Sequence, residues 1–249
     1  MTTQAILQDM SLCMECQSCR VACQVQNGLA PEDVYVKFHF TELGTFPKVA
    51  SHISRFACQH CKEAACVKVC PTGAVFKGDT GLTHFNADKC SGCGYCAEEC
   101  PFGIPEIKGN RAVRCTGCEP LTENGKPPMC VQNCIANALT FGPRDELLKK
   151  AEARVAALKK QWPNAQVYSP EGVGTTNLIW VLRDKPEVYG LPARPEVAAS
   201  LGVWKEAVQP ASTVVLAAAA VVGGLSFIVA RRNHLAEERN HTNDTKGEE

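Results

Sequence analysis

The sequence has few aromatic residues, no net charge and, in the 115 residues after Cys134, no cysteine. Aromatic residues make up only 6% of its 249 residues, too few to build one large apolar core across the whole chain. Its 26 basic and 26 acidic side chains cancel. The broad positive field that nucleic-acid binding requires is therefore missing, and a nucleic-acid partner is not expected.

Two further absences narrow the function. Residues 1–11 lack the basic start and the apolar stretch of a secretory leader, which makes a disulfide-rich secreted domain the weaker explanation of the cysteines and metal the stronger one. The glycine-rich segment EGVGTTN (171–177) does not match a phosphate-binding loop. No nucleotide site and no catalytic residues are therefore predicted.

All 16 cysteines lie between Cys13 and Cys134, and they form four groups of four. The groups, numbered motifs 1 to 4 in chain order, are Cys13, Cys16, Cys19 and Cys23; Cys58, Cys61, Cys66 and Cys70; Cys90, Cys93, Cys96 and Cys100; and Cys115, Cys118, Cys130 and Cys134. Motifs 1 and 3 have the spacing C-x2-C-x2-C-x3-C. Motif 2 widens the middle gap to four residues, and motif 4 widens it to eleven.

This spacing is typical of ferredoxins that bind two iron–sulfur clusters. Three thiolates on one loop reach three corners of a cube, and the fourth cysteine, which we expect to start a short helix, completes the cluster of a partner motif. The segments CKEAACVKVCPTGA (61–74) and CSGCGYCAEECP (90–101) are typical ferredoxin sequence. Sixteen thiolates at four per cluster predict four 4Fe–4S clusters.

The alternatives explain less. Structural zinc needs only two C-x2-C pairs, and disulfides at this spacing are mostly redox-active. A cluster with four thiolate ligands has no open coordination position, so the predicted role is electron transfer between partner proteins. His60, between two cysteines of motif 2, is expected to adjust hydrogen bonding near a cluster rather than to bind metal.

The chain after Cys134 predicts a helix and short strands. A helix is expected to begin at Pro143 and to pack on the ferredoxin core through a face that contains Leu147, Ala151, Val155 and Leu158. The segments AQVYS (165–169) and NLIWVL (177–182) predict strands. Residues 185–210 contain four prolines and are expected to form an extended linker.

A membrane span is predicted near the C-terminus. Residues 207–230 carry no charge and are long enough to cross a hydrocarbon core of about 30 Å. Their small residues favour packing against a partner helix in the membrane. Arg231 and Arg232 follow directly, which predicts a cytoplasmic C-terminus and a cysteine domain on the opposite side. The polar tail 233–249 is expected to be disordered.

These patterns together predict an α+β protein made of two ferredoxin-like double-cluster modules with one C-terminal transmembrane helix. The expected domains are a four-cluster domain at 1–142; a helix, strands and linker at 143–206; a transmembrane helix at 207–232; and a polar tail at 233–249.

The four motifs in this order, with the widened fourth, resemble the iron–sulfur (beta) subunits of membrane-bound molybdenum or tungsten oxidoreductases. The segment VYSPEGVGTTNLIWVLRDKPEVYGLPARPEV (167–197), followed by a tryptophan and one span, is similar to respiratory formate dehydrogenase beta subunits in particular. The resemblance implies a catalytic molybdopterin alpha subunit, a membrane cytochrome b gamma subunit and, finally, quinone as electron acceptor. It implies a location in the inner (cytoplasmic) membrane, with the cluster domain in the periplasm after export of the folded complex.

The resemblance also implies that the two modules are motifs 1+4 and motifs 2+3, with the motif 2/3 module (about 50–112) inserted in the motif 1/4 module. It further implies which cysteines share a cluster. Cluster 1 takes Cys13, Cys16, Cys19 and Cys134; cluster 2 takes Cys58, Cys61, Cys66 and Cys100; cluster 3 takes Cys90, Cys93, Cys96 and Cys70; and cluster 4 takes Cys115, Cys118, Cys130 and Cys23. Two alternatives stay open: the equivalent subunit of a hydrogenase or a polysulfide- or DMSO-type reductase, and a membrane-tethered polyferredoxin that serves several donors.

Overall fold

The computed structural model describes residues 2–197 and 209–244. The chain forms two compact units, 1–198 and 199–249, and each is described by itself. The first unit mixes helices and strands, and the described residues of the second, 209–244, form a helix. The predicted α+β class with a C-terminal apolar helix is therefore confirmed.

The strands of the first unit are short. They are β1 (Gln4–Asp9), β2 (Lys37–Thr45), β3 (Lys48–Phe56), β4 (Val75–Lys77), β5 (Thr83–Phe85), β6 (Glu106–Lys108), β7 (Arg111–Val113), β8 (Leu139–Pro143), β9 (Gln166–Tyr168) and β10 (Leu178–Leu182). Its α-helices are α1 (Ser18–Gln26), α2 (Ala65–Lys68), α3 (Tyr95–Glu98), α4 (Glu119–Thr122), α5 (Met129–Gln132) and α6 (Arg144–Leu158). Three 3-10 helices lie at Ala87–Lys89, Glu171–Val173 and Pro186–Tyr189.

One four-stranded sheet organises this unit, in the order β8-β1-β10-β9. Strand β1 is parallel to β10 and antiparallel to β8, and β9 is antiparallel to β10. The predicted strands at 165–169 and 177–182 are thus present as β9 and β10. Strands β2–β3, β4–β5 and β6–β7 form separate two-stranded hairpins.

The two faces of the sheet are both covered, which explains why all five residues of β10 are buried and apolar. Side chains alternate between the faces along a strand. Ile179 and Val181 therefore pack against α6, whose buried residues are Leu147, Ala151 and Val155, as predicted. The opposite face carries, among others, Ile6, Leu178, Trp180 and Leu182, and it packs against the loops of the cysteine motifs.

The expected linker at 185–210 is folded in its first part. Residues Pro186–Tyr189 form a 3-10 helix, and Tyr189 and Leu191 are buried in the core next to Trp180. The prediction missed this because the prolines were interpreted as signs of an extended chain, although Pro186 occupies the first turn of the short helix. Residues 198–208 of the linker lie outside the described residues.

The described residues of the second unit form the helix α7 (Gln209–Asp244). The most apolar part of its stretch Ala211–Asn233 has a mean hydropathy of 2.4, and none of that part is buried inside the protein. The predicted span 207–232 therefore corresponds to a helix that is long and apolar enough to cross a membrane. The helix continues to Asp244, so the expectation of disorder from 233 onward is wrong up to that point. The segment HLAEER (234–239) is rich in strong helix formers.

Candidate iron–sulfur centres

The four cysteine loops share one local backbone conformation. In each motif the residue just before the second cysteine adopts a positive φ angle: 56° at Glu15, 49° at His60, 69° at Gly92 and 68° at Gly117. Left-handed backbone at this point turns the loop back on itself. Four loops of different sequence and length thus share one turn before the second cysteine.

Two of these four positions are glycine and two are not. A non-glycine residue in the left-handed region costs about 1–2 kcal/mol, so the fold compensates for this strain at Glu15 and His60. The sequence analysis missed both positions. The glycines at the matching places of motifs 3 and 4, once the motifs are aligned, are the signal that identifies them.

The third and fourth cysteines of each motif are related through a helix, but not as expected. The third cysteine lies inside a short helix in every motif, as Cys66 does in α2 and Cys96 in α3. The fourth cysteine follows the end of that helix in motifs 2, 3 and 4, and in motif 1 Cys23 lies near the end of α1. The prediction that the fourth cysteine starts the helix is therefore wrong.

Two cavities bring together cysteines of motifs 1 and 4. All 16 cysteines lie within residues 2–197, and none of them is in a disulfide. One cavity is lined by Cys13, Cys16, Cys19 and Cys134. A second cavity is lined by Cys23, Cys115, Cys118 and Cys130. In each cavity a single cysteine of one motif joins three cysteines of the other.

The cysteines of motifs 2 and 3 also meet across the two motifs. The thiol of Cys61 lies within electrostatic range of Cys58, Cys66 and Cys100. Cys70 packs in one apolar cluster with Cys66 of its own motif and with Cys90 and Cys96 of motif 3. Cys93 lies on the exposed part of the same loop. Cys58 additionally lines the cavity that holds Cys23, so it lies between the two pairs of motifs.

The pKa values of several of these thiols are raised, which indicates that a bound cation is needed to keep them as thiolates. Burial, with a contribution from neighbouring thiols, raises the pKa of Cys118 to about 12 and the pKa of Cys100 and Cys130 to about 11. Thiolates cannot accumulate there unless positive charge compensates them. Coordinated iron supplies that charge and deprotonates the thiol on binding. The donor set and the cavities therefore fit 4Fe–4S clusters.

The motif 2 loop is fastened to the central sheet. Trp180 Nε1 donates to Gln59 Oε1 at 2.8 Å, and the backbone N–H groups of Asn177 and Leu178 donate to the carbonyls of His60 and Gln59. His60 Nδ1 accepts from the backbone N–H of Thr83 at 3.1 Å. This bond matches the expectation that His60 takes part in hydrogen bonding beside a cluster.

Two buried arginines lie among the cysteines, and the sequence analysis missed both. Arg55 Nε donates to Cys19 Sγ at 3.4 Å, and Arg114 Nη2 donates to Cys66 Sγ at 3.6 Å. Both side chains are almost completely buried. Their proximity to the motifs in sequence is the only signal that could have identified them.

Comparison with known proteins bears on these centres. A family model of the 4Fe-4S dicluster domain matches residues 49–144. The iron–sulfur subunit of nitrate-inducible formate dehydrogenase from Escherichia coli (strain K12) is 38% identical over 229 residues, which cover 83% of this chain and 78% of that protein. The formate dehydrogenase-O iron–sulfur subunit of the same organism is 34% identical over 268 residues, 98% of this chain and 89% of that protein. The chain belongs to the formate dehydrogenase iron–sulfur subunit family.

A match to a subunit of another enzyme covers a smaller part of this chain. A subunit of the anaerobic dimethyl sulfoxide reductase from Escherichia coli (strain K12) is 38% identical over 162 residues, but these cover only 60% of this chain and 78% of that protein. The formate dehydrogenase subunits therefore match more of this iron–sulfur subunit. The predictions of a 4Fe–4S protein and of an electron-transfer role are confirmed, and the C-terminal helix fits a membrane-anchored subunit.

Proposed function

We propose that this subunit binds four 4Fe–4S clusters and carries electrons from a formate-oxidising molybdopterin subunit to a membrane cytochrome b subunit and then to quinone. The observation that carries the proposal is the left-handed residue before the second cysteine in all four loops. Loops that make the same turn between their cysteines support four clusters of one kind. The clusters accept and release single electrons. The chain's own residues hold and insulate them.

The proposed ligand sets are those implied by the family resemblance. The thiols lining the two cavities support the sets of clusters 1 and 4, in which Cys134 and Cys23 exchange places between motifs. The position of Cys100 beside the thiols of motif 2 supports the set of cluster 2, and by the same exchange Cys70 is assigned to cluster 3. The module of motifs 2 and 3, about 50–112, is then an insertion in the module of motifs 1 and 4.

The same contacts support an order of electron transfer. Cys58 of motif 2 lines the cavity shared by Cys23 and three cysteines of motif 4. Electrons that enter at the motif 1/4 pair therefore reach the motif 2/3 pair over a short distance. Exposed thiols occur at both ends of this order, at Cys16 in motif 1 and at Cys93 in motif 3, where partner proteins can approach.

The test is purification of the membrane complex in mild detergent, followed by chemical analysis. We expect about sixteen iron and sixteen acid-labile sulfide atoms per chain, from four cubes, together with a large molybdopterin protein and a cytochrome b. About twelve iron atoms, or stoichiometric zinc, would contradict the ligand sets. Recovery of this chain with no molybdopterin protein would favour the free polyferredoxin.

The proposed orientation places residues 1–206 in the periplasm and Arg231 onward in the cytoplasm. The arginine pair at the end of the apolar stretch supports it. Protease added to intact spheroplasts should digest exposed parts of the cysteine domain and leave a tag after Glu249 protected. Loss of the tag with protection of the cysteine domain would reverse the orientation.

A further inference from the structure

The two buried arginines lie where the chain passes from one pair of motifs to the other. Arg55 is near the end of β3, between motifs 1 and 2, and Arg114 lies between β7 and Cys115 of motif 4. Only 3% of Arg55 and 2% of Arg114 is exposed. Arginine is permanently charged, so two positive charges are held inside the cysteine-rich interior.

Arg55 belongs to the motif 1/4 pair. Its Nε donates to Cys19 Sγ at 3.4 Å, its Nη1 donates to Gln8 Oε1 at 2.8 Å, and it lines both cavities of that pair. Gln8 in turn donates to the Arg55 carbonyl at 3.0 Å. The guanidinium is thereby fixed between the two groups of thiols.

Arg114 has the same relation to the motif 2/3 pair. Its Nη2 lies 3.6 Å from Cys66 Sγ and 4.0 Å from Cys58 Sγ, and Cys96 of motif 3 lies within its electrostatic range. Its Nε and Nη1 find no hydrogen-bond partner among residues 2–197. The guanidinium lies 5.9 Å from the ring centroid of Phe85.

Neither arginine is neutralised by a carboxylate in residues 2–197 or 209–244; the ion pairs found there involve other side chains. A buried charge without a counter-charge is strongly destabilising. The negative charge that balances each arginine is therefore that of the thiolate-bound centre.

We propose that Arg55 and Arg114 are redox-tuning residues: each raises the reduction potential of the cluster pair whose thiolates it touches, and each acts on its own pair. This inference rests on the four-cluster function proposed above. A nearby positive charge and a hydrogen bond to a ligand sulfur both favour the form that carries the additional electron. Two separate arginines allow the two pairs to be set at different potentials.

The experiment is a potentiometric titration of the detergent-purified complex, followed by electron paramagnetic resonance. Arg55→Gln should lower the midpoints of one set of transitions, and Arg114→Gln should lower a different set. The expected shift is at least a tenfold change in the reduced-to-oxidised equilibrium, about 59 mV for a one-electron couple. The double variant should show both shifts. Arg111→Gln removes an exposed arginine near Arg114 and should shift none.

A second variant tests the proposal if Arg55→Gln fails to assemble its clusters. Gln8→Glu keeps Arg55 and places a carboxylate against it, so it should lower the same transitions as Arg55→Gln. Iron content and the number of transitions in the parent complex test the four-cluster function separately. Unchanged midpoints in Arg55→Gln with full iron content would overturn the inference, as would unchanged midpoints in Gln8→Glu if Arg55→Gln loses iron.

Discussion

The two pairs of cysteine motifs are supported by very different amounts of protein. The motif 1/4 half comprises motifs 1 and 4, the four-stranded sheet and α6, and its two apolar clusters cover both faces of the sheet. The motif 2/3 half comprises motifs 2 and 3 and the hairpins β4–β5 and β6–β7, whose strands have three residues each. Its apolar cluster has five buried members: Ala74, Val75, Phe85, Cys96 and Ala112.

This difference shows where the clusters are needed for folding. An isolated two-stranded hairpin is marginal in water, and a core of five mostly small side chains cannot offset the chain entropy of about 60 residues. The bonds to iron therefore replace the core in the motif 2/3 half. In the motif 1/4 half they are added to a sheet that already has a core.

Removal of iron should have the largest effect, and this effect should differ between the two halves. With chelator and oxidant we expect the motif 2/3 half, and its β6–β7 hairpin above all, to lose protection from amide hydrogen exchange. The amides of β1 and β10 should retain most of theirs, because their hydrogen bonds are made within the buried sheet. Peptide-resolved mass spectrometry of the loaded and chelated protein measures both. Equal loss of protection in the two halves would contradict the difference.

Substitution of a single cysteine ligand should have the next largest effect. Cys70→Ser should disturb the cluster held by motif 3, because the proposed ligand sets join Cys70 to that motif, whereas Cys66→Ser should disturb the cluster of its own motif. Each variant should lose or convert one cluster of the four. Electron paramagnetic resonance of the two variants distinguishes the signals, and an effect of both on one signal would refute the exchange of the fourth cysteine.

The cysteine spacing, the pattern of β10 and the uncharged run 207–230 were sufficient to predict much of this molecule. They identified the four motifs, the α+β class and the apolar span, because metal-ligand spacing and apolar runs are local properties of sequence. Arg55 and Arg114 could not be predicted in this way. A buried arginine is recognisable only when the thiolates that balance its charge are in place, and those thiolates come from distant segments.

Substitution of the left-handed loop residues should have a smaller effect on stability, and the effect should differ between motifs. A Cβ on Gly92 would lie 2.5 Å from the Asn110 carbonyl oxygen, in addition to the strain of its φ of 69°. Gly92→Ala should therefore destabilise by about 2 kcal/mol or more. Glu15→Ala, at the matching place in motif 1, keeps a residue with Cβ in a similar φ and should change stability by less than about 1 kcal/mol.

The readout for this pair is the half-time of iron–sulfur absorbance in guanidinium chloride. Gly73→Ala is a further control in the same half as Gly92, because it has a φ of 66° but nothing within 4 Å of its added Cβ. It should show the cost of the backbone conformation alone. If Gly92→Ala and Gly73→Ala shortened the half-time equally, the Asn110 carbonyl would play no part.

The smallest expected effect concerns a contact that joins the two halves. Glu123, which follows α4 in motif 4, accepts from Thr80 Oγ1 at 2.8 Å and is 2.7 Å from His84 Nε2 in the β4–β5 hairpin. Glu123→Gln should cost about 1 kcal/mol, because a buried histidine loses its charged partner while Glu123 itself is partly exposed. Glu119→Gln, an exposed carboxylate on α4, is the matched control.

The pH dependence of this contact follows from the pKa of Glu123. Partial burial would raise this pKa, but hydrogen bonds from Thr80 and His84 outweigh burial and hold it below the ordinary value of 4.5. A carboxylate whose pKa is lowered by folding contributes stability above its unfolded pKa and loses that contribution as pH falls through the folded one. The ratio of half-times between parent and Glu123→Gln should therefore be constant from about pH 8 to about pH 5 and approach one only below the folded pKa. A ratio that already fell between pH 8 and pH 5 would assign the effect to a group other than Glu123, and a ratio of one throughout would mean that the two halves are held together without this contact.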